Sequence, residues 1–272
     1  MDDFSRMRID GDLRTRSLAD LIYEVTEPPG GDVPLELLLT KPAPYLAIGL
    51  LQGCRNFLLG ACALFDTDRE SSIPPLARSV MEFSVTGIWL LRNPSHNVKR
   101  FLRAQLHEAE LLSETDAVEG QKRRDGVLTA FGRFIPTDER TGKELPSFKK
   151  RLGPEMESLY RQYRFLSEEV HPSFVASSLA YRVNIEDQES SGADEGPFID
   201  YDVPSRGESG DYLAFILEFT WILAADLQRH LGHGFPQAIE AAGRLLWTSR
   251  YDEETFVRLV KSLDADSSER GP

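Results

Sequence analysis

An all-α, multi-helix bundle with one small β-hairpin insertion is the fold this sequence predicts, and three observations carry the prediction. Apolar residues recur at helical spacing over long segments. Prolines stand where helices begin, at Pro44, Pro74, Pro75 and Pro154, a position at which a missing amide proton costs nothing. Strand-like alternation is confined to two short runs, Ala180 to Ile185 and Phe198 to Val203.

Arg16 to Glu27 reads as a short first helix, stopped by Pro28, Pro29, Gly30 and Gly31. A second runs from Pro44 to about Asp66, and a third from Pro74 and Pro75 to Arg92, where Asn93 and Pro94 end it. Ser95 is the expected cap of a fourth, His96 to about Glu114. Between Thr115 and Pro146 charge mixes with Gly and Pro, and only a short helix around Gly126 to Phe134 is expected. Gly153 and Pro154 introduce a helix reaching His171, where Pro172 disfavours continuation. The hairpin follows near 180–203, with the acidic loop EDQESSGADEG, 186–196, at a mobile tip. Three last helices are placed at Asp211 to Leu231, Pro236 to Trp247 and Glu253 to Leu263. Residues 1–264 are expected to form a single helical domain, with 265–272 a disordered tail.

At 272 residues, 41% hydrophobic and 28% charged, the chain is long enough for one sizeable core and too apolar for general disorder. A net charge of −13 argues against broad, sequence-independent nucleic-acid binding, which relies on Lys and Arg neutralising phosphates. The charge is uneven. From Arg92 to Arg164, 15 Lys and Arg meet 11 Asp and Glu, so the rest of the chain carries −17 and an anion is expected at this middle third. Cys54 and Cys62 sit eight apart on one helix, so a rise of roughly 12 Å keeps them from bonding to each other, and they read as core thiols of a reducing compartment. The N-terminal MDDFSRMRIDGD lacks the apolar core of a secretory signal. Tyr45 to Phe65 comes nearest to a membrane span, but Gln52, Arg55 and Asn56 interrupt its centre, so a buried helix is expected. A soluble, cytoplasmic protein without a membrane partner or a cofactor follows.

Two helices carry polar groups where apolar ones are expected. In PLARSVMEFSVTGIWLL, Arg78 and Glu82 are the two charged residues, one turn apart, while Leu76, Phe83 and Leu90 lie roughly opposite. A helix apolar on both sides is buried, so this pair is expected inside, either as a structural ion pair or as the lining of a pocket in which Arg78 offers a fork to a carboxylate or phosphate. In PEMESLYRQYRFLSEEVHPS, Tyr160, Arg164, Ser167 and His171 follow i, i+4, i+7, i+11 spacing, with Tyr163 at the edge of the stripe. The alternatives are a solvated face and a functional one; solvated faces usually carry Lys, Glu and Gln rather than Tyr, Ser and His. His171 also lies in a last turn, where the helix dipole favours its charged form.

RSVME together with LSEEVHPS resembles an uncharacterised bacterial family of helical proteins, with Arg and Glu one turn apart and then Ser, His, Pro and Ser. The resemblance, over about Tyr45 to Ser173, implies that Arg78, Glu82, Ser167 and His171 converge on one site, and it brings no activity. A second, weaker resemblance is to HEPN proteins, helical bundles whose ribonuclease members separate Arg and His by four to six residues. Arg164 and His171 enclose six, FLSEEV, as do Arg100 and His107. That resemblance implies a homodimer with a metal-independent site. There His171 would be the general base on a ribose 2′-hydroxyl, Arg164 would stabilise the phosphorane, and Ser167 or Tyr160 would position the phosphate. Defence or toxin activity in a bacterium follows from that resemblance alone.

Other readings stay open. A non-catalytic protein with a structural polar cluster would meet a protein partner through its acidic surface. Glu168 and His171 form E-x-x-H, half of a di-iron motif, although no second copy is found. His230 and His233 with Asp226 are explained more simply by the cation preference of a helix C-terminus. Ser-His-Asp catalysis lacks a G-x-S-x-G elbow.

Overall fold

The computed structural model describes residues 16–27, 40–65, 72–152, 159–161, 163, 164, 166, 182, 183, 199, 200, 206–231 and 238–248. Within them the fold is a helical bundle. Helix α1 covers 16–25. Its end is closed by Thr26, whose hydroxyl donates to the Ile22 carbonyl at 2.6 Å, and by Arg55, which reaches from the next helix to the Tyr23 carbonyl at 3.1 and 3.3 Å. Cations are favoured at the negative end of a helix dipole, which explains why Arg55, an interruption in an apolar stretch, lies buried here.

Helix α2, Pro42–Leu64, starts two residues ahead of the expected proline. It is the one helix among the described residues that is long and apolar enough to cross a membrane. In the bundle, Ala47, Leu51, Cys54, Leu58 and Ala61 form a buried stripe along it. Helix α3, Ile73–Arg92, packs against α2 and against α7, Arg206–Leu231, which also touches α2. These three helices enclose the centre of one contiguous core, which runs from Ala19 to Leu246. A polar relay crosses it: Cys54 Sγ of α2 lies 3.4 Å from Ser84 Oγ of α3, and that hydroxyl donates to the Phe219 carbonyl of α7 at 2.8 Å. Gly87 lets α3 approach α7 closely, since a Cβ there would fall 2.5 Å from Leu223.

Helix α4, Pro94–Thr115, opens on Pro94 itself, so Ser95 lies within the first turn and caps nothing. A proline at the start presets the backbone and removes one of the donors a cap would serve. Asn97 ties this end back to α3, its amide donating to the Trp89 carbonyl at 2.6 Å. The next helix is longer than the short one expected around 126–134. Helix α5 is Ala117–Phe131, capped by the Asp116 carboxylate, which accepts from the amides of Val118 at 3.1 Å and Glu119 at 3.0 Å. Two 3-10 turns, Gly132–Phe134 and Thr137–Glu139, lead to a five-residue helix α6, Phe148–Leu152, that composition did not suggest.

Residues 159–161, 163, 164 and 166 are helical, within the helix expected to reach His171. In the region of the expected hairpin, Arg182–Val183 and Ile199–Asp200 pair antiparallel, Arg182 opposite Asp200. Those two pairs do not support the expected hairpin insertion, and the rest of 180–203, with the loop 186–196, lies outside the described residues. Helix α7 begins five residues before Asp211, and α8, Ala238–Thr248, packs on it with Trp221 Nε1 donating to the Ile239 carbonyl at 2.7 Å. The helix expected at 253–263 and the tail 265–272 lie outside the described residues.

Candidate functional site

Where α3 passes from its first half to its second, its surroundings change. Every residue from Ser84 to Leu91 is buried, whereas the Arg78 and Glu82 side chains are 21% and 35% exposed. The charge pair expected inside therefore stands half-buried at the rim of the bundle. The first half of α3 is buried along Ile73, Ala77, Val80 and Met81, and its charged side chains lie off that face, where their heads still reach water.

At the rim the two meet as an i, i+4 pair, Arg78 Nε lying 3.4 Å from Glu82 Oε1. The Tyr163 hydroxyl donates to that same oxygen at 2.6 Å, and Arg78 donates to the Tyr163 hydroxyl at 3.4 Å. Two segments some eighty positions apart thus share one carboxylate. Tyr163 is held in place by Phe148, whose ring stacks on it at 3.8 Å and 15°, and Tyr160 lies a further 6.4 Å along the same ladder. Cations sit over these rings, Arg78 at 5.5 Å from Tyr163 and Lys149 at 5.4 Å from Tyr160, within reach of cation–π attraction.

Beneath the rim, the buried Arg151 donates to Thr86 Oγ1 and, at 3.1 Å, to the Pro146 carbonyl, while Thr86 donates to the Glu82 carbonyl at 2.6 Å. Burial pulls the Arg151 guanidinium below its ordinary value, and the charge of Glu82, joined by Tyr163 only once its phenol ionises at alkaline pH, opposes this. Burial also holds the Tyr163 phenol above its ordinary value, as does donation to the Glu82 carboxylate, with the bond from Arg78 opposing. The neutral phenol is therefore the form this arrangement favours.

Of the residues singled out in the sequence, Arg78, Glu82 and Tyr163 come together and Tyr160 adjoins them. Arg164 is exposed; the turn of about 100° after Tyr163 sends its side chain in another direction. Ser167, Glu168 and His171 lie outside the described residues. His230 makes the contact expected near a helix C-terminus, its Nδ1 2.9 Å from the Asp226 carbonyl. Sequence reasoning missed Phe148, Arg151 and Thr86. The signal was present in FKKRL, where Phe148, Arg151 and Leu152 share one helical face beside two exposed lysines.

These elements define a helical-bundle protein with a polar, aromatic-backed cluster at the rim of its central helix. Residues 45–190 match the model of DUF5677, a family of unknown function, and the chain belongs to that family. The matched span begins at Tyr45, as expected, and holds both RSVME and LSEEVHPS. No curated protein and no solved structure matches the chain.

Proposed function

We propose that the chain is a cytosolic RNA-binding protein whose docking face is the rim of α3, formed by Arg78, Tyr163, Tyr160 and the lysines of α6. The Tyr163–Glu82 hydrogen bond carries this reading, because it draws RSVME and the helix leading into LSEEVHPS to one place. A guanidinium steadied on a carboxylate suits phosphate recognition. Aromatic faces with cations beside them suit unstacked bases and their backbone. The rim also lies in or beside the less acidic middle third of the chain.

The HEPN-like form of this reading adds chemistry from residues beyond the rim. His171 takes the proton of a ribose 2′-hydroxyl, Arg164 stabilises the phosphorane, and Ser167 or Tyr160 positions the phosphate, with two protomers completing a site that needs no metal, in a bacterial defence or toxin role. The test is a labelled single-stranded RNA incubated with the full chain and with His171→Ala in the presence of a chelator. Cleavage lost in the variant, at unchanged melting temperature, supports catalysis. RNA bound but uncleaved by both leaves binding alone. No binding at low salt removes the RNA reading.

A second reading is favoured by one observation: Glu82 already receives Tyr163, Arg78 and the charge of Arg151. The cluster is then a clasp joining α3 to the 148–166 segment, and the acidic surface meets a protein partner. In that case substitutions at the rim change stability and no nucleic acid is retained.

A further inference from the structure

The loop after α5 is seated on α4 with little freedom. The Lys143 amide donates to the Arg103 carbonyl at 3.1 Å, Arg103 Nε donates to the Thr141 carbonyl at 3.2 Å, and the Gly142 amide donates to Glu110 at 3.1 Å. Arg124 holds Glu110 from the other side at 2.9 Å. Gly142 rests directly on the helix, because a Cβ there would fall 2.7 Å from the His107 Cα and closer still to the Glu110 carboxylate. A rigid wall therefore faces one side of α4.

Between wall and helix lies a cleft of about 350 Å³. Its helix side is a stripe of His96, Lys99, Arg100 and Arg103 at spacings of three and four, which places them on one face; Lys143 enters from the loop. Two carboxylates also line it, Glu139 and Glu144, so four fixed cations exceed them by two in a chain whose net charge is −13. Glu139 is engaged by both Lys99 and Arg103, the latter at 3.3 Å, and these contacts keep it ionised below its usual range, the Lys99 hydrogen bond contributing most. Arg100, half-buried, and Lys143 have no side-chain hydrogen-bond or ion-pair partner among the described residues. A planar guanidinium left with free donors inside a bounded, net-positive cleft is suited to a bidentate oxyanion.

We propose that this cleft binds a phosphate dianion, free or as the terminal group of a phosphomonoester, with Arg100 as its principal ligand and Lys143 and His96 as further donors. The excess of two cations matches a dianion, and the volume leaves room for a small substituent on the phosphate. A long polyanion is disfavoured, because Glu139 and Glu144 flank the same cleft and the rest of the chain is acidic. The site is on α4, separate from the rim of α3, and does not depend on the RNA reading.

The experiment is a calorimetric titration of the full chain with inorganic phosphate in one arm and ribose 5-phosphate in the other, repeated on Arg100→Gln, Lys143→Gln and, as a distant control, Lys122→Gln. Expected are at least a tenfold loss of affinity for Arg100→Gln, a severalfold loss for Lys143→Gln, and no change for Lys122→Gln. Equal affinity in the two arms identifies the ion as the ligand, and tighter ribose 5-phosphate binding identifies a monoester. If Arg100→Gln does not fold, Lys143→Gln decides. Absence of binding at millimolar concentration, undiminished affinity in Arg100→Gln, or an equal loss in Lys122→Gln overturns the proposal. So does a single-stranded RNA whose binding falls by the same factor in Arg100→Gln, since the cleft would then belong to a polymer track.

Discussion

The two halves of α3 have similar apolar content and opposite surroundings. From Ser84 to Leu91 the helix is enclosed on every side, and its few polar groups are resolved internally: Ser84 on Phe219, Thr86 on Glu82 and Arg151. From Ile73 to Phe83 one face is buried through Ile73, Ala77, Val80 and Met81, and the other carries Arg78 and Glu82 at the rim. An apolar helix thus need not be buried to the same depth along its length, and its charged pair marks the face that still reaches water.

Substitutions sharpen this contrast. Leu90→Ala, in the enclosed half, is expected to cost about 2–5 kcal/mol, because a fully buried leucine leaves a cavity that rigid neighbours cannot fill. Chemical denaturation with unchanged m-value checks it. Arg151→Ala, at the junction of the halves, removes the partner of Thr86 and of the Pro146 carbonyl and is expected to cost about 1–3 kcal/mol by the same measurement. A value near zero would mean that the junction is open to water.

At the rim the effects shrink. Tyr163→Phe deletes the hydrogen bond to the Glu82 carboxylate and the longer one from Arg78 while keeping the stack on Phe148, and is expected to cost about 1 kcal/mol at neutral pH. The phenol's folded pKa is raised. Its contribution is therefore fully present below the ordinary tyrosine value of about 10 and is lost as pH rises through the higher folded value. The variant and parent should accordingly converge in stability at strongly alkaline pH, followed by denaturant midpoints. In ultraviolet titration, Glu82→Gln should let Tyr163 ionise earlier without restoring it fully, since burial is the larger cause. Arg78→Gln is expected to cost less than about 1 kcal/mol, as a half-exposed ion pair is screened and replaced by water.

The helices were legible where local chemistry decides. Proline starts and Gly or Pro stops located α1 to α4, and apolar residues at helical spacing located α7 and α8. The first part of α5, 117–125, was not recognised, although Asp116 followed by Glu119 is the sequence signature of a capped N-terminus; charge in that segment was read as irregularity. Of the candidate site, the i, i+4 pairing of Arg78 with Glu82 follows from helical geometry alone. Its meeting with Tyr163 rather than Arg164 depends on the rotation of a helix packed eighty positions away, which no local pattern encodes. The placement of Phe148 and Arg151 depends on a single helical turn too short for periodicity to register. The cleft on α4 is of the same kind: the stripe of cations is visible in the sequence, but the wall that makes it concave is set by Gly142 lying on a helix backbone.

The thiol at the meeting point of α2, α3 and α7 has a practical consequence. Cys54 is wholly enclosed and its ionisation is pushed up to about 12 by burial, so alkylating reagents, which attack thiolates, find almost none to attack. Modification of that sulfur must wait for the three central helices to part. Its labelling rate is then a clock for the deepest opening of the protein, readable by mass spectrometry on the native chain.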